Sequence, residues 1–555
     1  MRKILKGETY EDYDYDELNT YAGIDTIVTL DLLKALSPRL TTKLDYRVAE
    51  GKEILKKKGI VPTVWSELIN VKTLALEFTC DLKITGMYYD QVLSRQFHER
   101  MTKDMKDTQE RINEAAGEEV PLSGAAFHAW LYRKRRYPSV IKTTTGEEAT
   151  SGDALKALAK EVPEDKDLLL DIKRFIDVRA MFNNFIHGYI EKFVKYDSRI
   201  HCDYLLNGTS SHRISSKNPN MLNMPRGYYG YNLRDCYAAT PGYSLLAFDF
   251  SSCEVKILAA LSGDPNMIYA CEQGYDFHSF SASMMMDITY EEFLERKHEK
   301  YYKDQRQFAK AVTFGILYGS SVGGIAMTLG ITSVEAQRII DSYFDKFPKV
   351  RDFINKCHQD AQLNLFVFSP FGQRKQEFGA HPAFKGSAVY NAALRNSQNV
   401  SIQGPASTFG LICFAMLNRD LKQRGIGRAV LTVYDSVEFE VKKGHEAEAI
   451  ELAFYYLDDW PVENFEWLNF KVGSDGELGP TFGTLEEVHR GTTQDECNWI
   501  MRIQEDSIKP ASCNTCGKKG DWAGYPYKIG ETISRDCKCS DGDCGDSWSM
   551  DCFTE

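Results

Sequence analysis

Two aspartates occupy positions in the sequence where a carboxylate could hold a hard metal ion. Asp249 directly follows the short apolar run 245–248 and precedes a helical pattern, which is typical of a buried strand feeding a helix. Asp435 interrupts the alternating segment 429–441, as the turn of a β-hairpin does. Mg²⁺ takes one or two carboxylates together with substrate phosphates. Taken singly, however, Asp249 fits better as a solvated strand end and Asp435 as an ordinary turn residue.

A third segment carries two cations and two aromatic residues at a spacing of four. Arg306, Lys310, Phe314 and Tyr318 therefore lie along one ridge of a predicted helix. Such a ridge could hold a triphosphate at one end and a sugar or base at the other. The alternative is an amphipathic helix whose aromatic residues are core and whose cations are solvated.

One reaction would use all three segments together. In-line displacement at phosphorus uses two metal ions roughly 4 Å apart, bridged by carboxylates from neighbouring strands. Basic residues then neutralise the leaving phosphates, so that catalysis is mainly positioning and charge stabilisation. The sequence therefore predicts two-metal phosphoryl transfer from a nucleoside triphosphate.

The three segments also resemble motifs A, B and C of the family-A DNA polymerases, in the same order. Further similar stretches are T-S-S-H-R-I-S-S at 209–216 with P-N-M-L-N-M-P at 219–225, D-F-H-S at 276–279, and Q-N-V-S-I-Q-G-P-A at 398–406. The resemblance extends over about residues 70–485. It implies a template-directed DNA polymerase that adds deoxynucleotides to a primer 3′-hydroxyl, in DNA replication.

The resemblance assigns roles to residues of this chain. Asp249 and Asp435 would hold two Mg²⁺ ions, and Lys310 would join them in catalysis. Glu254, hydrogen-bonded to Tyr318, would block the 2′ position of the sugar. The expected nucleotide contacts are Arg306, Lys310, His278, Phe314, Tyr318 and Glu254, and the expected primer–template contacts are Arg213, Asn223, Arg395, Asn399 and Gln403.

Some positions depart from the family pattern. Ser252 and Cys253 replace glutamine and isoleucine in the first motif, and Lys256 replaces arginine. In the third motif, H-D-E becomes Y-D-S, so that Ser436 stands where a third carboxylate is usual. Glu438 is expected to point along its strand rather than at the metals. These departures put metal affinity in question, but not the class of reaction.

The fold that the resemblance implies is α+β, a right-hand polymerase with an antiparallel-sheet palm, helical fingers and a helical thumb. The predicted divisions are 1–66 (remnant of a 3′–5′ exonuclease domain and linker), 67–205 (thumb), 206–262 and 386–490 (palm), 263–385 (fingers), and 491–555 (a small Cys-rich tail).

Near the N-terminus, Tyr21 and Asp25 resemble the last motif of a proofreading exonuclease. One aspartate and one tyrosine cannot assemble a four-carboxylate metal site, so this chain alone is not expected to proofread. The hypothesis is that a separately encoded exonuclease chain docks on residues 1–66. The alternative is a truncated chain with no such partner.

The tail contains Cys513-x-x-Cys516 and, further on, Cys537-x-Cys539. Four thiolates at such spacing could form a closed tetrahedral zinc site, which would stabilise a stretch too small for its own core. Cys544 or Cys552 could substitute for one of the second pair. The alternative is an acidic tail with incidental thiols.

Composition limits the function classes. The net charge of −12 argues against a simple nucleic-acid coat, although the local field matters more in a large enzyme. No stretch reaches the roughly 18 apolar residues that a membrane span requires, and the N-terminal residues do not resemble a signal peptide. The sequence therefore predicts neither a membrane span nor a signal peptide. The predicted compartment is cytoplasmic, the cytosol of a bacterial host if the chain is phage-encoded, where 14 cysteines would be thiols or metal ligands.

Two other functions compete with DNA synthesis. A single-subunit RNA polymerase shares the Arg, Lys and Tyr of the second motif, but Glu254 and Phe314 argue against it. A non-catalytic subunit that binds primer–template could keep the fold, yet it would not need Asp249 and Asp435.

Overall fold

The computed structural model describes residues 72–507, apart from 144, 145, 207, 210, 212, 226 and 228, and the backbone of 534–539 and 542–549. The predicted exonuclease motif at Tyr21 and Asp25 and the cysteine pair Cys513 and Cys516 therefore lie outside the described residues.

The first part of the described chain is mainly helical, as the sequence predicts. Asp90 begins its longest helix by accepting hydrogen bonds from the backbone N–H groups of Val92 and Leu93, and Gly117 ends it with a φ of +70°, a left-handed conformation that glycine adopts readily. The elements are α1 (Leu74–Thr85), β1 (Met87–Tyr88), α2 (Gln91–Ala116), α3 (Gly124–Ala129), α4 (Gly152–Glu161), α5 (Lys166–Phe185), α6 (Tyr189–Phe193), β2 (Arg199–Ile200), β3 (Asp203–Leu205) and β4 (Ser215–Lys217).

A long strand and a block of helices follow. The strand leads into the first helix through Ser252, which has a φ of +54°. The elements are β5 (Tyr243–Phe250), α7 (Cys253–Ser262), α8 (Pro265–Glu272), α9 (Phe277–Met285), α10 (Tyr290–Arg296), α11 (Lys300–Leu317), α12 (Val322–Leu329), α13 (Ser333–Lys346), α14 (Pro348–Asn364), β6 (Phe366–Phe368) and β7 (Arg374–Gln376).

The last part of the chain returns to the sheet. Its elements are α15 (Ala388–Arg424), β8 (Gly427–Val433), β9 (Ser436–Lys442), α16 (Glu446–Phe454), α17 (Trp460–Asn464), β10 (Ser474–Thr481), β11 (Thr484–Val488), α18 (Gln494–Ser507), β12 (Ser534–Cys539) and β13 (Gly542–Ser549). Short helical turns lie at Trp130–Lys134, Pro163–Asp165, Met221–Asn223, Leu233–Cys236, Phe378–Ala380, Pro382–Phe384 and Tyr455–Asp459.

A five-stranded antiparallel sheet lies at the centre, in the order β11-β10-β5-β9-β8. Because side chains alternate along a strand, β5 presents Phe248 and Phe250 to one face and Asp249 to the other. The apolar face packs on α15 and α16. The ring of Phe250 lies 5.0 Å from that of Phe409, and the ring of Phe248 lies 5.1 Å from that of Phe454. The predicted strand before Asp249 and the predicted hairpin about Asp435 are both confirmed.

Helix α15 is the long core helix beneath this sheet. Among the described residues it alone is long and apolar enough, by length and composition, to cross a membrane, but 83% of its most apolar window is buried inside the protein. The sequence does not predict a membrane span here, because polar residues such as Ser401 and Thr408 interrupt the apolar run. In the fold these polar residues are buried.

Part of the range predicted as a separate tail belongs to the main core. Cys497, Ile500 and Met501 of α18 are buried in the same apolar cluster as the sheet. Cys497 is therefore a core thiol, and the cysteines within 72–507 are all free. Farther on, β12 and β13 pair as an antiparallel hairpin, with a register shift between Asp536 and Lys538, and Cys537 and Cys539 lie in β12.

Candidate active site

Asp249 and Asp435 meet at one end of the sheet. Asp249 is the cross-strand partner of Ser436, and the N–H of Phe250 donates to the carbonyl oxygen of Asp435 over 3.2 Å. The hairpin turn consists of Tyr434 and Asp435, since Val433 pairs with Ser436. Both aspartate side chains are exposed. The strand end and the hairpin turn thus bring together the two carboxylates that the sequence predicts.

Further carboxylates share the face of the sheet that carries Asp249. We call this face, with Asp249, Asp475, Glu477 and Glu438, the acidic face. Asp475 of β10 stands opposite Asp249, and Glu477 of β10 and Glu438 of β9 stand on either side of Ala247. Asp475 and Glu477 are absent from the sequence-based predictions. Their alternate placing in S-D-G-E-L at 474–478 is a strand pattern that could have drawn attention to them.

The crowding of acids raises the pKa of Asp249 to about 7. The largest cause is the protein packed around the carboxylate, which removes water, followed by the charges of Asp435, Asp475 and Glu477. The pKa of Asp435 is also raised, by burial, although Arg213 opposes the shift. A cation at this end of the sheet would relieve the repulsion.

Glu438 reaches along its own strand to Ser436, two residues away, as the sequence analysis expects. Its side chain is buried, with 1% of its surface exposed, because the acidic face turns inward there, beside the buried Leu245 and Leu431. Oε1 accepts a hydrogen bond from the Ser436 hydroxyl over 3.3 Å, whereas Oε2 has no partner among the described residues. Burial raises the pKa of Glu438 to about 8.

The cationic end of the α11 ridge is held by an acid. The Arg306 guanidinium donates through Nε and Nη2 to the two carboxylate oxygens of Asp276, over 2.8 and 3.0 Å. Asp276 also begins α9 by accepting from the N–H of Ser279. Burial would raise the pKa of Asp276, but Arg306 and Ser279 outweigh burial and lower it to about 2.

Aromatic residues continue the ridge toward the acids. The ring of Phe314 lies 5.4 Å from that of His278 and is stacked 5.7 Å from that of Tyr318, and the Lys310 ammonium lies 6.0 Å from the Phe314 ring centre. Burial lowers the pKa of His278 to about 4, and the charges of Arg306 and Lys310 add to the shift. His278 is therefore a neutral imidazole beside two cations near pH 7.

Glu254 connects the ridge to the acidic face. It lies in the first turn of α7 and is buried, with 8% of its surface exposed. Its carboxylate pairs with Arg213 through Oε1, and Oε2 has no hydrogen-bond partner among the described residues. Burial raises the pKa of Glu254, and the charge of Asp435 contributes to the rise. Tyr318 also lies close enough to act on this pKa, so that Glu254 interacts with both Asp435 and Tyr318.

Two of the expected primer–template residues converge on the tip of the hairpin. The Arg213 guanidinium lies 5.6 Å from the ring centre of Tyr434, and the Tyr434 hydroxyl donates to Asn223 over 3.4 Å. Tyr434, which stands where the family has histidine, therefore bridges Arg213 and Asn223.

The other three expected DNA contacts, Arg395, Asn399 and Gln403, recur every four residues and share one side of α15. This side adjoins the end of α11. Gly319 lies so close to Arg395 that an added Cβ would stand 3.1 Å from its Cγ, and the Gln398 amide donates to the carbonyl oxygen of Ile316.

The departures in the first motif have structural roles here. Cys253 is buried in the main core. Lys256 donates from Nζ to the carbonyl oxygen of Val472, next to the start of β10, so that the lysine ties α7 to the strand that carries Asp475.

Exposed carboxylates at a sheet edge, beside a helix of cations and aromatic rings, form the arrangement that metal-assisted phosphoryl transfer requires. The model of DNA polymerase family A matches residues 91–461. The chain therefore belongs to DNA polymerase family A.

Individual relatives agree with this family. The chain is 26% identical over 492 residues to DNA polymerase I of Chloroflexus aurantiacus, an alignment covering 87% of this chain and 48% of that protein. It is 28% identical over 448 residues to DNA polymerase I of Pseudomonas aeruginosa, covering 80% of this chain and 45% of that protein. The chain thus spans under half of the length of these relatives.

The fold also resembles a solved polymerase domain. The POL domain of Pol1 from M. smegmatis, in complex with a DNA primer-template and dNTP, superposes with a TM-score of 0.67 at 24% identity. The match covers 78% of this chain and 73% of that one. The mixed helix-and-sheet fold expected from the sequence is thereby confirmed.

Proposed function

We propose that this chain is a template-directed DNA polymerase, which transfers a deoxynucleoside monophosphate to a primer 3′-hydroxyl and releases pyrophosphate. One observation carries the proposal. Asp249 and Asp435 are brought together by the Phe250–Asp435 backbone hydrogen bond of 3.2 Å, and Glu254 interacts electrostatically with both Asp435 and Tyr318 of the ridge. A role in DNA replication, in a cytoplasmic compartment, follows from the same proposal.

Divalent cations, two Mg²⁺ ions in this proposal, fit the acidic end of the sheet. Carboxylate oxygens are the ligands that hard cations prefer, and the buried Oε2 of Glu438 lacks a partner among the described residues. Within the described chain, no three Asp, Glu, His or Cys side chains are grouped so that they could hold a metal ion by themselves, so Asp249 and Asp435 would hold the ions together with substrate phosphates. When bound, the ions supply Lewis-acid charge to the attacking and leaving oxygens.

The α11 ridge would bind the incoming nucleotide. Arg306 and Lys310 would take the triphosphate, and the neutral His278 could donate one hydrogen bond to it. Phe314 would pack against the sugar and Tyr318 against the new base pair. Glu254, paired with Arg213, would occupy the space that a ribose 2′-hydroxyl needs.

Primer–template would lie across the hairpin tip and α15. Arg213 and Asn223 meet at Tyr434, and Arg395, Asn399 and Gln403 form a ridge beside the end of α11. The bound DNA primer-template in the M. smegmatis neighbour supports this proposal. In the same proposal, 67–205 is the thumb, 206–262 with 386–490 is the palm, and 263–385 is the fingers of a right hand.

Two further parts of the proposal concern residues of which the structure describes little or nothing. The first is a structural zinc ion bound by Cys513, Cys516, Cys537 and Cys539, supported by their spacing. The second is an exonuclease chain docking on residues 1–66, supported by the Tyr21–Asp25 pattern. In the second case, mismatched primer ends should be trimmed only when this chain is mixed with the exonuclease chain, and Asp25→Ala in this chain should prevent trimming.

Primer extension tests the proposed function. A labelled primer on a defined template should be extended with the four deoxynucleotides and Mg²⁺, and not with chelator. Ribonucleotides alone should extend it far less. Efficient synthesis from ribonucleotides would favour the RNA polymerase alternative, and tight primer–template binding without extension would favour a non-catalytic subunit.

A further inference from the structure

Glu438 is a buried acid to which the proposed function assigns no contact with substrate. Its side chain is 1% exposed, and Oε2 has no hydrogen-bond partner among the described residues. Carboxylates are rarely buried without a counter-charge, because the lost hydration is expensive. Such a group is neutralised either by a proton or by a nearby cation.

The register of the sheet places Glu438 next to the aspartate pair. Ser436, the partner of Asp249 across the strands, donates its hydroxyl hydrogen bond to Oε1 of Glu438 over 3.3 Å. The carboxyl group of Glu438 therefore extends toward the row that contains Asp249, not away from it. Ala247 of β5, the cross-strand partner of Glu438, has a side chain too small to separate Glu438 from Asp249.

No basic side chain in the described region forms an ion pair with Glu438. Arg234 is the cation that acts on it most, but this guanidinium packs 4.5 Å from the ring centre of Phe482 and donates to the carbonyl oxygen of Met224. Asp475 and Glu477, on the far side of Asp249, are exposed and remain hydrated. Glu438 is thus a buried acid of this face with no ion pair among the described residues.

We infer that Glu438 supplies a further negative charge beside the divalent-cation site without ligating the cation, in a sequence whose position 436 is serine; this rests on the proposed function. Glu438 is a positioning residue. Its charge, in low dielectric, strengthens cation binding at Asp249 and Asp435, and the Ser436 hydroxyl fixes the orientation of the carboxylate.

Binding of Mn²⁺ to the DNA-free protein, measured by electron paramagnetic resonance at pH 8.5, tests the inference without reference to activity. Glu438→Gln keeps the shape and the hydrogen bond but removes the charge, and it should weaken Mn²⁺ binding at least about tenfold. Glu487→Gln is the matched control. Glu487 is exposed and stands opposite Glu477 on β11, so its loss should change binding less than about twofold.

A second variant moves the charge instead of removing it. Ser436→Glu combined with Glu438→Val restores a carboxylate on the same face, next to Asp249, and should recover Mn²⁺ binding to within about threefold of the original protein. Unchanged binding in Glu438→Gln would overturn the inference, as would equal losses in Glu438→Gln and Glu487→Gln. A thermal melt shows whether each variant is folded.

The experiments distinguish a failure of the inference about Glu438 from a failure of the proposed function. If the original protein extends primers and Glu438→Gln binds Mn²⁺ normally, the inference about Glu438 fails and the polymerase proposal stands. If the original protein neither extends primers nor loses Mn²⁺ on Asp249→Asn, the cation site itself is wrong and both fail.

Discussion

Arg306 and Asp276 form a two-pronged ion pair, with N–O distances of 2.8 and 3.0 Å. The guanidinium proposed to bind the triphosphate is therefore already oriented by an acid when no nucleotide is present. The acid also competes with the phosphates for the same donors.

Asp276→Asn should tighten deoxynucleotide binding by about two- to fivefold, because it removes an anion while asparagine still caps α9. The apparent dissociation constant in single-turnover extension measures this. Asp287→Asn is the control, since Asp287 pairs with Lys346 at another exposed site and should have no effect. Binding that weakens more than tenfold in Asp276→Asn would show instead that the pair is needed to position Arg306.

Glu254→Ala should allow ribonucleotide incorporation, because the buried carboxylate occupies the space proposed for the 2′-hydroxyl. We expect the preference for deoxynucleotides to fall by about a hundredfold. Tyr318→Phe should cause a smaller loss, since it removes only a hydroxyl that acts on Glu254 electrostatically and leaves the carboxylate paired with Arg213. Single-turnover competition between the two nucleotide types measures both. Unchanged discrimination in Glu254→Ala would rule out the steric role.

The raised pKa of Asp249 predicts how stability depends on pH in the metal-free protein. The ordinary value for an aspartate here is 3.8, and the folded value is about 7. Between these values the folded state holds a proton that the unfolded state has lost, so the free energy of unfolding falls as pH rises from about 4 to 7. Part of this fall should disappear in Asp249→Asn.

Urea unfolding in chelator at pH 5 and pH 8 measures the difference. Asp249→Asn should be more stable than the original protein at pH 8 by about 1 kcal/mol, a modest figure because the exposed carboxylate is screened by water. Mg²⁺ should stabilise the original protein and not the variant. An identical fall with pH in both proteins would contradict the assigned cause.

Local patterns in the sequence were sufficient for part of this site. The apolar run before Asp249 and the alternation about Asp435 specify a strand end and a turn. Asp475 is far from Asp249 in the sequence, and their pairing depends on the order of strands, which neither segment encodes alone. The burial of Glu438 likewise depends on tertiary packing near Leu245 and Leu431, not on its own strand pattern.

The Cys-rich tail gives an independent prediction. The purified protein should contain about one zinc ion by elemental analysis, and Cys513→Ser with Cys516→Ser should remove it. Primer extension should largely survive, because residues 508–555 lie beyond the range that matches the family. Cys497→Ser is the control, since Cys497 is buried in the main core and should not affect zinc. A native preparation without zinc would refute the site.

The central claim is that Asp249 and Asp435 together carry the phosphoryl transfer. Single-turnover primer extension with Asp249→Asn and Asp435→Asn, in parallel with primer–template binding, tests it most directly. Each substitution should slow extension at least about a thousandfold, because it removes charge needed in the transition state, while binding of the duplex stays within about threefold. Asp352→Asn, at an exposed pair with Lys349, should behave as the original protein. A loss of less than tenfold at either Asp249 or Asp435 would contradict the account.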